Sequence, residues 1–203
     1  MTMTMTNWPS PIPRQLAKLA TAFIAALTLA ACSSTGPYNS SSDATDSVLM
    51  LKGHDPVAYF TLGKHTLGKS EIRVVHDGAT YRFASEENKT LFIREPAKYL
   101  PQYGGFCANG IAYGIPWGGD PDTWKIIDGK LYIFGGEGSR KYFLMDEKKN
   151  LQLADQYWAS EIKGSNGFIR RYYRLVFRVP HYKTGAQLEA EWQQAQGGKA
   201  RSQ

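Results

Sequence analysis

The sequence predicts an α+β fold: a small antiparallel sheet with short helices, arranged as two diverged hairpin–helix units. Three observations predict it. The 203 residues are 42% hydrophobic, 13% aromatic and 21% charged, a globular mixture that excludes a wholly disordered, collagen-like or coiled-coil chain. An Asp-Gly pair lies between short β-rich runs twice, at Asp77-Gly78 and Asp128-Gly129, and this pair is a strong hairpin signal. The surrounding residues match at a single offset of 51. Asp77-Gly78-Ala79-Thr80-Tyr81-Arg82-Phe83 aligns with Asp128-Gly129-Lys130-Leu131-Tyr132-Ile133-Phe134, and Glu86, Phe92, Ile93 and Glu95 align with Glu137, Phe143, Leu144 and Asp146.

Within each unit, Tyr and Phe fall two apart on the second strand and so share one face. Tyr81, Phe83, Tyr132 and Phe134 are therefore read as core. A helix follows the hairpin. Ser85 is placed to cap it, Glu86 and Glu87 suit its first turn, and Leu91 and Phe92 give it an apolar side. Pro96 ends it, with a second short turn carrying Tyr99. Val74-Val75 and Ile126-Ile127 precede the two turns. Asp120-Pro121 reads as a turn, with Trp124 opening the next strand. Two such units can bury their apolar faces against each other.

The chain ahead of the units is an address and a tether. Residues 1–31 contain Arg14, Lys18 and no acid, then an apolar run from Leu19 to Ala31. That run is shorter than the roughly 20 residues a membrane-spanning helix requires. The order of basic, apolar and small residues is that of a secretory signal. Its end, Leu29-Ala30-Ala31-Cys32, resembles the bacterial lipobox, which implies that Cys32 becomes the first mature residue and carries lipid. Each buried methylene of such a chain contributes about 0.8 kcal/mol to anchoring. Ser33 in the following position implies the outer membrane over the inner. Residues 32–47 read as a flexible tether, 48–164 as the folded domain and 165–203 as a basic extension.

Charge follows the same division. Residues 32–164 carry 15 Lys and Arg against 16 Asp and Glu, whereas residues 165–203 carry seven against two. A nucleic-acid partner is not expected, because the basic excess lies in a tail and not along the fold, and an exported chain rarely meets nucleic acid. With Cys32 and Cys107 the only cysteines, neither a disulfide scaffold nor a Cys-x-x-Cys site is present.

Several stretches together resemble the YHS-domain family: Gly53-His54-Asp55-Pro56-Val57-Ala58-Tyr59-Phe60, Tyr81-x-Phe83-Ala84-Ser85, Phe92, Pro96, Lys98-Tyr99 and Tyr103-Gly104-Gly105-x-Cys107-Ala108. The resemblance is closest to its exported branch and covers roughly residues 48–160. It implies a small α+β module of a kind often attached to heavy-metal transport or handling proteins. In metal-binding relatives cysteines stand where this chain has Ala58, Ala84 and Asn88. None of these three side chains is a soft ligand, so the metal site implied by the resemblance is absent as written.

Cys107 is open to three readings: a metal ligand, a redox-active thiol, or a small buried hydrophobe. His54, at a turn before an apolar run, is either solvated or a partner of Cys107. The pair His54 and Cys107 would suit a soft or borderline ion such as copper or zinc, with Met145 or His76 needed to complete it. His65 and His76 read as exposed. Asp55 is expected to accept hydrogen bonds from turn amides. No Gly-x-Ser-x-Gly elbow, His-Glu-x-x-His or evident triad is present, so the expectation is a non-enzymatic, lipid-anchored envelope binding module. It would handle metal through a non-standard site, dock an envelope protein without metal, or use the Cys107 thiol.

In the tail, Phe168 to Val179 reads FIRRYYRLVFRV. The helical template gathers Arg170, Arg171, Arg174 and Arg178 within an arc of about 100°, with Asn166 as cap and Pro180 as stop. The aromatic and β-branched content argues for strand. As a helix these arginines would form a membrane or partner surface, or the segment would dock on the domain with its arginines solvated. Gln187 to Gln196 reads as a short polar helix.

Overall fold

Asp-Gly turns close both hairpins as expected. Asp77 and Gly78 have φ of 49° and 78°, and Asp128 and Gly129 have 48° and 71°. This left-handed pair matches the right-handed twist of the flanking strands. The computed structural model describes residues 38–201. The proposed signal at residues 1–31, the lipid acceptor Cys32 and residues 33–37 lie outside the described residues.

The elements run in the following order. Strand β1 (Ser40–Ser41) is followed by β2 (Leu49–Met50), helix α1 (Ala58–Thr61), β3 (Lys69–His76), β4 (Ala79–Phe83), α2 (Glu86–Arg94) and α3 (Pro96–Tyr99). The second unit holds α4 (Ala108–Ile111), β5 (Asp120–Ile127), β6 (Lys130–Phe134), α5 (Glu137–Met145) and α6 (Glu147–Tyr157). The tail forms α7 (Gly167–Val176) and α8 (Gly185–Arg201). The fold is α+β, and the sheet is divided. One sheet has the order β1-β2-β4-β3, with β2 parallel to β4 and its other pairs antiparallel, while β5 and β6 form a separate antiparallel hairpin.

The repeat is visible element by element. Strands β3, β4 and helix α2 recur in β5, β6 and α5 with both boundaries shifted by 51. Each first strand breaks register at the same place, between Lys69 and Arg73 and between Asp120 and Trp124. Each long helix ends on a residue of nearly identical backbone, Glu95 at φ −140°, ψ 63° and Asp146 at φ −139°, ψ 64°. Strand β5 thus starts at Asp120, in place of the expected turn and ahead of Trp124, because Pro121 falls in the irregular stretch where a missing N–H costs no ladder bond.

Each unit has its own core. Tyr81, Phe83, Phe92 and Tyr99 pack in the first, and Tyr132, Phe134 and Phe143 in the second. Leu51 and Tyr59 of the first unit meet Leu131 and Ile133 of the second in a shared cluster. Burial, reinforced by the nearby Asp122, Asp55 and Asp120 carboxylates, pushes the Tyr59 phenol well above its ordinary range. It remains a donor, to the Pro121 carbonyl at 3.0 Å.

Two expectations are corrected. From residue 38 the polar segment is not a free tether: Ser40 and Ser41 pair with Met50 and Leu49, and Asp46 is buried. Arg73 meets Asp46 at 2.9 Å, and Arg82 contacts both Asp46 and Asp43. Charge, not apolar area, docks this segment, and a hydropathy pattern does not register that. The C-terminal helix is also longer than expected, because Thr184 and Gln187 form reciprocal capping bonds at 3.3 and 2.9 Å ahead of it.

Candidate functional site

The glycine-containing turn before each short helix places the chemistry. Leu51, Lys52 and Gly53 have positive φ, and so do Tyr103, Gly104 and Gly105. From there the first unit uses four residues, His54 to Val57, to reach α1. The second uses two, Phe106 and Cys107, to reach α4. The backbone hydrogen bonds that follow are equivalent: Asp55 N donates to Thr66 O at 2.8 Å, and Cys107 N to Trp117 O at 2.9 Å. Cys107 therefore occupies the backbone slot of Asp55.

In the first unit that slot holds a fully buried carboxylate. Asp55 Oδ1 accepts from Val57 N at 2.8 Å and Ala58 N at 3.2 Å, the turn-amide bonds expected of it. Oδ2 accepts from Ala84 N at 2.8 Å and from the Asn88 side-chain amide at 2.6 Å. Ala58, Ala84 and Asn88 are the three positions where the resemblance implies cysteine in metal-binding relatives. They still converge, but on the Asp55 carboxylate. The donor set is two backbone N–H groups and an amide nitrogen, which give a metal ion no lone pair. These residues do not fit a bound metal.

In the second unit the same slot borders a cavity of about 360 Å³. Gly135 and Ser139, the counterparts of Ala84 and Asn88, line it with Cys107, Asn109 and Tyr142. The Cys107 sulfur lies 3.5 Å from where a Cβ on Gly135 would stand, and the residue is 3% exposed. The helix behind it starts differently too. Ser85 caps α2 by accepting from Asn88 N, whereas Gly136 at the start of α5 has no side chain to offer.

His54 sits in other company. Its Nδ1 donates to Leu51 O at 2.9 Å, and its Nε2 faces Asp122 Oδ1 at 3.3 Å. His65 Nδ1 approaches the same oxygen at 3.9 Å, the two imidazoles standing edge to face. No histidine lines the Cys107 cavity, and neither His54 nor Cys107 is among the other's hydrogen-bond or ion-pair partners. Among the described residues, no group of three or more His, Cys, Asp or Glu is arranged to hold a metal ion. His76 is half-buried between Tyr81 and Phe92, and Met145 lines cavities that do not contain Cys107.

The tail segment is a helix from Gly167 to Val176, capped by Asn166 through Phe168 N and Ile169 N, and it ends before Pro180. Three of its arginines turn inward. Arg171 donates twice to Pro116 O, at 3.2 and 2.8 Å. Arg174 pairs with Glu161 at 2.5 Å, and Arg170 donates to Glu161 O at 3.0 Å. Arg178 stays exposed over the Tyr182 ring. The apolar face is the one left outside: Ile169, Tyr172 and Val176 are each about two-thirds exposed, and Phe177 is 58% exposed. Sequence reading missed this inversion. It also missed Asp122, Ser139 and the bond from Asn88 to Asp55; the offset of 51 carried the signal for Ser139, by aligning it with Asn88.

The fold and its paired slots define a small α+β module made of two hairpin–helix units, one closed on a carboxylate and one open beside a thiol. Comparison with known families matches residues 57–103, most of the first unit, to the YHS-domain model. No curated protein and no solved structure matches the chain significantly. The second unit begins where the family match ends.

Proposed function

We propose that the protein is a non-enzymatic YHS-type module held at the bacterial cell envelope by a lipid on Cys32, facing the periplasm from the outer membrane, and that it acts by docking partners and not by carrying metal. The observation behind this reading is the convergence of Ala58, Ala84 and Asn88 on the Asp55 carboxylate. A hydrogen-bonded carboxylate occupies the place where soft ligands would gather, which favours the metal-free alternative over a copper or zinc centre at His54 and Cys107. Purified protein should contain copper and zinc far below one equivalent, and Cys107→Ser and His54→Ala should leave that level unchanged. One equivalent of metal, lost in either variant, would overturn the proposal. Palmitate labelling tests the anchor, and an unlabelled mature chain removes it.

A thiol-dependent role for Cys107 keeps one observation in its favour, the open cavity at its side. Rapid modification of the native protein by a small thiol reagent, abolished in Cys107→Ser, would support it. A rate matching global unfolding would exclude it.

A further inference from the structure

We infer that the outward face of α7 docks into the surface of the bilayer that carries the lipid anchor; this rests on the anchored reading above. Exposed apolar side chains scattered singly are ordinary, but a contiguous set marks an interaction surface. Here Ile169, Tyr172, Tyr173 and Val176 stand on one short helix with Phe177 directly after it, all more than 45% exposed. Leaving this apolar surface in water carries a free-energy cost that a partner would remove.

Four features select a bilayer as that partner. The arginines are not at the surface to read a protein's carboxylates, since Arg170, Arg171 and Arg174 hold the helix to the domain. Lys163 and Arg178, exposed on either side of the helix, form no ion pair among the described residues, and such basic side chains suit an anionic headgroup layer. The Tyr172 and Tyr173 side chains combine an apolar body with a polar tip, the balance found at membrane interfaces. Finally, the first described residue lies near the turn that leads into this helix. Tyr38, the first described residue, lines one cavity with Lys163 and Gly164, a few residues ahead of α7. Only residues 33–37 separate Tyr38 from Cys32, so a lipid there would lie within about 20 Å of Tyr38.

The arrangement is a two-point attachment. One acyl-bearing residue gives residence, and an amphipathic helix lying in the interface gives orientation. The domain would then present a fixed side to the periplasm.

The test uses the full chain in vesicles of phosphatidylethanolamine and phosphatidylglycerol with brominated acyl chains. A bimane label is placed through Tyr172→Cys, and a control label through Glu87→Cys, which is exposed on α2. Quenching at position 172 with none at position 87 is the expected result. Adding Ile169→Asp and Val176→Asp, both at exposed positions, should reduce that quenching at least about tenfold while far-ultraviolet circular dichroism stays unchanged. Flotation of the chain with both labels unquenched would overturn the docking and leave the anchor standing. Quenching at 172 in a chain that takes up no palmitate would support the docking and remove the anchor. Equal quenching at both positions, or cross-linking of position 172 to a second copy or to an envelope protein with no lipid quenching, would overturn it.

Discussion

The Asn88 side-chain amide donates to Asp55 Oδ2 at 2.6 Å, across a separation of 33 residues. Together with the Ala84 amide on the same oxygen, it fastens the start of α2 and the end of β4 to the turn ahead of α1.

That relationship makes Asp55 a buried polar node of the first unit. Asp55→Ala leaves four donors unmatched in a buried place. It should lower the unfolding free energy by about 3 kcal/mol, against about 1 kcal/mol for Asn88→Ala. Urea denaturation followed by circular dichroism measures both, and equal small losses would show that the node is not cooperative.

Asp46 is the second buried carboxylate on which packing depends. Asp46→Ala leaves Arg82, whose side chain is only 12% exposed, with Asp43 as its one remaining carboxylate partner, and frees Arg73. The expected loss is about 3 kcal/mol. Hydrogen exchange should show residues 40–47 opening, because this polar stretch is docked by charge more than by apolar area.

Glu189 joins α8 to α5, accepting from Lys141 Nζ at 2.6 Å and Tyr142 Oη at 2.7 Å. The Lys141 hydrogen bond, then those from Tyr142 and Gln193, pull its carboxyl from the ordinary 4.5 down to about 2. A depressed carboxyl stabilises the fold above the unfolded value and loses that contribution as pH falls through the folded one. Docking of α8 should therefore be complete above pH 4.5 and weaken between 4.5 and about 2. Fluorescence of Trp192, which lies against Lys141, should follow this titration, and Glu189→Gln should flatten it.

Two glycines of the second unit should respond oppositely to alanine. A Cβ on Gly119 would run into the Gly105 carbonyl oxygen and stand 2.7 Å from Ile133 Cγ2, so Gly119→Ala should cost more than about 2 kcal/mol. Gly138 lies in α5, where a Cβ meets only the Tyr142 ring at 3.6 Å or more. Gly138→Ala should be stabilising by about 0.5 kcal/mol. Thermal melts of the two variants decide both signs.

The hairpins, the helix after each and the core aromatic pairs were legible because they rest on local rules: Asp-Gly turns, alternation along a strand, Ser85 as a cap. The repeat was legible because its offset never changes across β3, β4 and α2. What remained hidden was set by partners distant in sequence. Asp46 reads as loop until Arg82 is beside it, 36 residues away. The arginines of α7 read as a solvated face until Pro116 O and Glu161 take them. A helical wheel separates a charged face from an apolar one, but it does not say which of them turns toward the protein. At the site, Asp55 was read correctly as a turn acceptor. Its reach to Asn88 was out of view because it depends on how β4 returns to the first turn.

The shortening of the loop before α4 divides labour between the two copies. The first copy keeps the buried acid clasp and with it the duty of holding its helices in place. The second, relieved of that clasp, can exchange residues around its sulfur at little structural cost. The family match ends at Tyr103, just ahead of that open half.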